Sequence, residues 1–297
     1  MWGYHTPHVE VTMGQLRNRM ISDFALGNYS PRTAEEYLRC VRNFTAHYMR
    51  CPSQLGKEEV RGFLHHLLAV RGKNPPAIKG YIASLKFLYT RTLERPEVVA
   101  WIPYPKIHSK LPAVLDPAEV KELLVAIESP LFRALFVTTY ATALRVSEVC
   151  ALTIGDLDSR RGVIRIRGKG GRERYVPLRE KLLHVLRRYY QSHRPKGTWL
   201  FPAANSDRHV SPNRARAALH QAVRKTSIKK HVTPHVLRHS CATHLLEAGV
   251  ELRVIQALLG HASIRTTVRY TRVSTKLIKG TIDPLEIIER QPDQAQD

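Results

Sequence analysis

Apolar residues recur at helical spacing through the first hundred positions, in four runs separated by turn chemistry. Residues 1–12 read as a loose arm. The first run begins near Gln15 and repeats at Leu16, Ile21, Phe24 and Leu26. Ser30-Pro31 opens the second, a hydroxyl N-cap followed by a proline in the first turn, where a missing N–H is harmless. That helix turns Tyr37, Leu38, Val41, Phe44 and Tyr48 inward, and Arg32, Arg39, Arg42 and Arg50 outward. Lys57–Val70 brings Val60, Phe63, Leu64, Leu67 and Leu68. The fourth helix starts after Pro75-Pro76 and runs to about Leu93, with Ile78, Ile82, Leu85 and Leu88 to bury. Residues 1–102 are therefore expected to form a four-helix unit with basic faces.

The period lapses over residues 103–112, PYPKIHSKLP, whose three prolines mark a linker. Helical signals return from residue 113. Asp116, Pro117 and Glu119 stand in capping-box order before Val120, Leu123, Leu124 and Ile127. A further helix over Leu131–Thr142 ends near Arg145. The period then shortens to two. Val163-Ile164-Arg165-Ile166-Arg167 alternates, Gly168-Lys169-Gly170-Gly171 is turn chemistry, and Arg174-Tyr175-Val176-Pro177-Leu178 resumes the alternation. This predicts a β-hairpin with Lys169 at its tip. Helices follow at about 179–191, 212–226, 235–247 and 252–259, with Gly249 and Gly260 as stops. The predicted fold is mainly α: a four-helix N-terminal domain and a mostly helical second domain, 113–297, holding a small antiparallel sheet.

Composition adds a partner class. With 297 residues, 43% of them hydrophobic, the chain can bury a core in each domain. Its net charge of +22 and pI near 10.2 predict attraction to polyanions, chiefly nucleic acid. Residues 1–110 carry 16 Lys and Arg against 8 Asp and Glu, and residues 111–297 carry 31 against 17. Both domains are thus basic, as a protein gripping DNA from two sides would be. No apolar run reaches the ~18 residues of a membrane span, and MWGYHTPHVEVTM lacks a signal pattern. No membrane partner and a cytoplasmic location are expected. Cys40, Cys51, Cys150 and Cys241 form no CxxC pair, so reduced core thiols are expected, without a structural zinc.

Candidate chemistry concentrates between Thr233 and Arg272. His235 and Arg238 lie three residues apart, on one helix face. Thr233-Pro234 starts their helix, so both fall in its first turn, where backbone N–H groups and the dipole favour an anion. Small Ala242 near that face reads as room for a bulky ligand. His235 and His239 also have the spacing of a zinc pair, but HVLRH sets a cation where a metal hydrolase holds its carboxylate base. His239 and His244 therefore read as ordinary helix residues. His261 follows the helix-ending Gly260, and Tyr270 comes nine residues later. Taken singly, Arg145 reads as a surface arginine, Lys169 as a loop lysine, His261 as a cap and Tyr270 as a core aromatic. Together, Arg, His and Tyr without a carboxylate pair point to chemistry on a negatively charged group.

Arg145, Lys169, His235, Arg238, His261 and Tyr270, in this order and spacing, resemble the signature of the tyrosine recombinase (phage integrase) family, nearest to simple bacterial Xer-like members. The segments that carry the resemblance are ALRVSEVCALTIGDLD, RIRGKGGRERYVPL, TPHVLRHSCATHLLEAG and LLGHASIRTTVRYTRV. The resemblance covers about residues 113–275. In the front domain SPRTAEEYLRCVRNF resembles the family's helical core-binding domain. Arg272 departs from the Xer pattern, which has histidine shortly after the tyrosine.

The resemblance implies a site-specific DNA recombinase or integrase. In it Tyr270 attacks a phosphodiester to leave a 3′-phosphotyrosyl bond and a free 5′-hydroxyl, His235 accepts the tyrosine proton, Arg145, Arg238 and His261 hold the phosphate, and Lys169 protonates the departing oxygen. Glu148 matches an acidic position of the family and reads as an orienting partner for a buried arginine. No metal or nucleotide cofactor is implied, and no GxxxxGK[ST] loop is present. The implied partners are double-stranded DNA with specific sites and three further copies in a tetramer. The C-terminal tail, from about residue 274, would dock on a neighbour or pack on its own domain. A type IB topoisomerase-like enzyme and a catalytically silent DNA-binding protein of the same fold share parts of this kit.

Overall fold

The computed structural model of the chain describes residues 12–106, 113–168, 173–204, 207–260 and 263–268, the side chains of 265 and 266 excepted. The expected arm before Thr12, the second half of the expected linker and the expected tail lie outside them. The chain divides into two units, Met1–Ser109 and Lys110–Asp297.

In the first unit the apolar runs become α1 (Met13–Leu26), α2 (Pro31–Tyr48), α3 (Lys57–Ala69) and α4 (Pro75–Phe87). Side chains close the helix starts: Ser30 accepts from the Thr33 N–H and Asn74 from the Ala77 N–H. Phe44, Leu55, Val60 and Leu85 are fully buried, and Phe24 stacks on Phe87 at 4.5 Å. Arg32, Arg39 and Arg42 lie exposed on the opposite side of α2, and Arg50 lies exposed just beyond its end. Three details differ from expectation. Ile21 and Leu26 of the first run lie exposed, and Met20 takes the inward place between Leu16 and Phe24. Leu68 is 50% exposed, because Val60, Phe63, Leu64 and Leu67 already complete the inward stripe and Leu68 falls one residue's rotation past it. The run expected to continue as one helix to Leu93 widens at Leu88–Thr92 into a π turn, closed by Leu93 N–H to Leu88 O at 2.9 Å. That turn carries Tyr89 into the core, where its hydroxyl donates to the Pro52 and Leu55 carbonyls.

The second unit comprises α5 (Pro117–Ala126), α6 (Pro130–Thr142), α7 (Val146–Cys150), α8 (Glu180–His193), α9 (Pro212–Val223), α10 (Pro234–Glu247), α11 (Leu252–Leu259) and α12 (Arg265–Val268). Its sheet is β1 (Leu157–Asp158), β2 (Val163–Arg167) and β3 (Glu173–Pro177), antiparallel in that order. The mainly helical fold with a small antiparallel sheet agrees with the expectation. Asp116 and Glu119 make the predicted capping box, each carboxylate accepting from the other's backbone N–H at 2.8 Å. Three elements escape periodicity by being too short: α7 has five residues, α12 four and β1 two.

The sheet buries Ile164, Ile166 and Val176 against the helices. α10 is buried on nearly every side, packed against α6 and α11, with Leu237 and Ala242 fully inaccessible. Ala242 therefore does not leave room for a ligand. It lies with Ala143, Cys241, Leu246, Ile255 and Leu259, where its small side chain lets the helices close together. The four cysteines are free thiols, and burial pushes Cys150 and Cys241 up to about 12, which keeps them unreactive. Among the described residues no helix is long and apolar enough to cross a membrane.

Candidate active site

α6 ends where Ala143 turns left-handed at φ +52°, and Arg145 then occupies the N-cap of α7. The backbone N–H of Arg145 donates to Glu148 Oε2 at 2.8 Å, and its Nη1 donates to Oε1 at 2.9 Å. One carboxylate thus closes the helix start and fixes the arginine that precedes it.

Two more guanidiniums converge on Glu148. Arg174, on β3, donates through Nη1 and Nη2 to both carboxylate oxygens at 3.0 and 2.8 Å, while its Nε reaches the Leu258 carbonyl at 3.3 Å. Such fork-on-fork geometry is the strongest form of this pairing. Arg238, on α10, is only 3% exposed. Its Nη1 and Nη2 donate to the carbonyls of Ala143 and Leu259 at 2.8 and 2.6 Å, and Nη1 stands 3.9 Å from Glu148 Oε2. Burial works against charge on Glu148, but the bonds from Arg174 and from the Arg145 N–H outweigh it and hold the carboxyl below its ordinary value. One carboxylate among three guanidiniums leaves the cluster positive.

Arg145, Glu148 and Arg174 line a cleft of about 1110 Å³, whose lining also includes Gly168 and Gly260. Across it, Asp156 accepts from the Thr153 N–H and hydroxyl at 3.0 and 2.7 Å. Its other oxygen holds Arg165 at 3.3 Å and Arg167 at 3.6 Å. Burial opposes the Asp156 charge as well, and the Thr153 and arginine contacts keep this carboxyl below its usual range.

Of the six predicted site residues, Arg145 and Arg238 are brought together through Glu148, which takes the orienting place expected of it. His235 stands exposed in the first turn of α10, one turn before Arg238. Lys169, His261 and Tyr270 lie outside the described residues; Gly168 and Gly260, the chain neighbours of the first two, line the cleft. Sequence reasoning missed Arg174 and Asp156. A signal for Arg174 exists: it shares the phase of the buried Val176 on β3 and stands opposite Ile166, so an inward-pointing charge was there to be noticed.

Gly260 ends α11 in the left-handed region at φ +60°, and a Cβ there would come within 3.0 Å of the Arg174 guanidinium. Gly260→Ala is expected to destabilise the fold by about 1–2 kcal/mol through backbone strain alone, read as a lowered urea midpoint. An unchanged midpoint would show that this turn relaxes freely.

Residues 113–276 match the phage integrase family model, and residues 16–97 match that of the phage integrase N-terminal SAM-like domain. The integrase/recombinase y4qK of Sinorhizobium fredii is 40% identical over 283 residues, covering 95% of this chain and 92% of that one. Tyrosine recombinase XerC of Pelotomaculum thermopropionicum is 35% identical over 283 residues, covering 85% and 91%. The fold is that of solved recombinases. XerH, in a post-cleavage complex with its palindromic difH substrate, superposes with TM-score 0.69 at 21% identity over 90% of this chain and 83% of its own. A lambda integrase dimer bound to a COC′ core site superposes with TM-score 0.70 at 18% identity over 92% and 80%. The chain therefore belongs to the phage integrase family and is a tyrosine-type site-specific recombinase.

Proposed function

We propose that the protein binds double-stranded DNA at specific target sites and cuts and rejoins its strands through a 3′-phosphotyrosyl intermediate on Tyr270. The observation that carries this reading is the joining of Arg145 and Arg238 by one largely buried carboxylate, beside a cleft whose lining includes the neighbours of Lys169 and His261. Permanently charged, pre-positioned guanidiniums suit a phosphate that gathers negative charge in its transition state.

In this mechanism Tyr270 oxygen forms a bond to phosphorus as the P–O5′ bond breaks. His235 accepts the phenol proton, Arg145, Arg238 and His261 hold the non-bridging oxygens, and Lys169 gives a proton to the departing 5′-oxygen. The phosphotyrosine retains the energy of the diester, so rejoining to another 5′-hydroxyl draws on no nucleotide. Residues 1–102 act as the core-binding domain, 103–112 as a linker and 113–297 as the catalytic domain. Four copies act on paired sites, with the tail from about residue 274 docking on a neighbour, in the cytoplasm beside the nucleoid. Relatives whose structures hold DNA, such as XerH with difH, support the DNA partner.

A duplex nicked near the cleavage point traps the intermediate by losing the short strand that would reverse it. With EDTA and without ATP, the protein is expected to form a covalent adduct on such a duplex. Binding should weaken by about a thousandfold or more between ~50 and ~200 mM salt. No adduct at any salt concentration would refute the mechanism, and supercoil relaxation without joining of two sites would favour a topoisomerase-like role.

A further inference from the structure

We propose that Arg174 is a positioning residue for cleavage: it anchors the β2–β3 hairpin, and with it Lys169, to the Arg145–Glu148–Arg238 cluster. The inference rests on the reading of Lys169 as the acid that protonates the leaving oxygen. β2 and β3 pair from Val163↔Pro177 to Arg167↔Glu173, and the connection beyond that last pair, residues 168–172, includes Lys169. β1 pairs only with Val163 and Ile164, so beyond them the hairpin is a two-stranded ribbon, and the placement of its end depends on ties to the rest of the fold. Arg174 pairs with Ile166, one step in from that last pair, and the three hydrogen bonds of its guanidinium leave the hairpin. Two end on Glu148 of α7 and one on the Leu258 carbonyl of α11. Its guanidinium also packs against Gly260, where any Cβ would press on it.

The alternative route for Arg174 would run through Glu148 to the phosphate-holding arginines. Glu148, however, is already held by the backbone N–H and Nη1 of Arg145. The hairpin tip has more to lose than α7 when Arg174 is removed. The two routes differ chemically. When P–O5′ breaks, the electron pair leaves on oxygen and needs a proton from Lys169. When sulphur replaces that bridging oxygen, the pair leaves as a stable thiolate and no proton is needed. Charge on the non-bridging oxygens needs the arginines in either case.

The test measures single-turnover cleavage by the full chain on two nicked duplexes, one ordinary and one with 5′-bridging sulphur. Arg174→Gln should cut the ordinary duplex about a hundredfold more slowly, the usual consequence of misplacing a reacting group by an ångström. On the sulphur duplex it should cut at the wild-type rate, as should Lys169→Ala. Arg174→Lys, which keeps the charge and one bond to Glu148, should fall between the two on the ordinary duplex and carries the same comparison if Arg174→Gln does not fold. Rescue by sulphur is a readout that general destabilisation would not produce. If sulphur rescues Lys169→Ala and neither Arg174 variant, the inference is overturned. If it fails to rescue Lys169→Ala, the reading of Lys169 as the acid is wrong.

Discussion

Tyr270→Phe is expected to abolish the covalent protein–DNA adduct while leaving DNA binding intact. Phenylalanine keeps the ring and removes the one oxygen able to form the bond to phosphorus. The loss should approach that seen on removing the nucleophile of other covalent catalysts, on the order of 10⁶ in rate. Tyrosine is a demanding nucleophile: with an ordinary pKa of about 10, roughly one molecule in a thousand carries phenolate at neutral pH. The positive surroundings set up by Arg145 and Arg238, with His235 as acceptor, are what the mechanism offers to make up those three powers of ten. The assay is denaturing electrophoresis of protein incubated with the nicked duplex. An adduct of wild-type yield from Tyr270→Phe would move the attack to another residue, whereas retained binding with no adduct fits Tyr270.

Glu148→Gln is expected to cost about 3 kcal/mol of folding free energy, near the lower end for removing one partner of a buried ion pair. It leaves Arg238, 3% exposed, and Arg174, whose side chain is 16% exposed, without their shared anion. The sign of the pH dependence follows from the lowered carboxyl of Glu148. Its stabilisation is fully present above the ordinary value of 4.5 and is lost as pH falls through the lower value in the folded chain. Urea midpoints of wild type and Glu148→Gln should therefore differ most near neutral pH and converge below pH 4.5. Asp156, also held low, titrates in both proteins and cancels in the comparison. Equal midpoints at pH 7 would mean that the arginines find solvent or another anion at no cost.

Much of the architecture was legible because it is local. Ser30-Pro31, Asp116 with Glu119, and Gly249 and Gly260 mark element ends through interactions spanning a few residues, and the alternation at Val163–Arg167 is a property of one strand. The candidate site was legible differently. His235 and Arg238 stood out by sharing the first turn of one helix, whereas Arg145, Lys169, His261 and Tyr270 each have a mundane explanation alone and came from a resemblance. What neither route supplied is the wiring. Arg174 meets Glu148 from 26 residues away, and Arg238 meets the Ala143 carbonyl from 95. No periodicity reports contacts at that separation. Ala242 misled for the same reason: a small residue on a helix face looks like open space until the helices that fill it are known.

Arg238 carries one more consequence. Two of its close partners are main-chain carbonyls, those of Ala143 and Leu259. Every amino acid has such an oxygen, so substitutions at 143 or 259 that preserve the backbone path leave the acceptors in place. That part of the hold on this arginine is insulated from sequence drift in a way that its side-chain neighbour Glu148 cannot provide. What drift cannot touch is the bend itself. The left-handed turn at Ala143 points its carbonyl at the guanidinium, so the position is bound in conformation and, by its burial, in size as well.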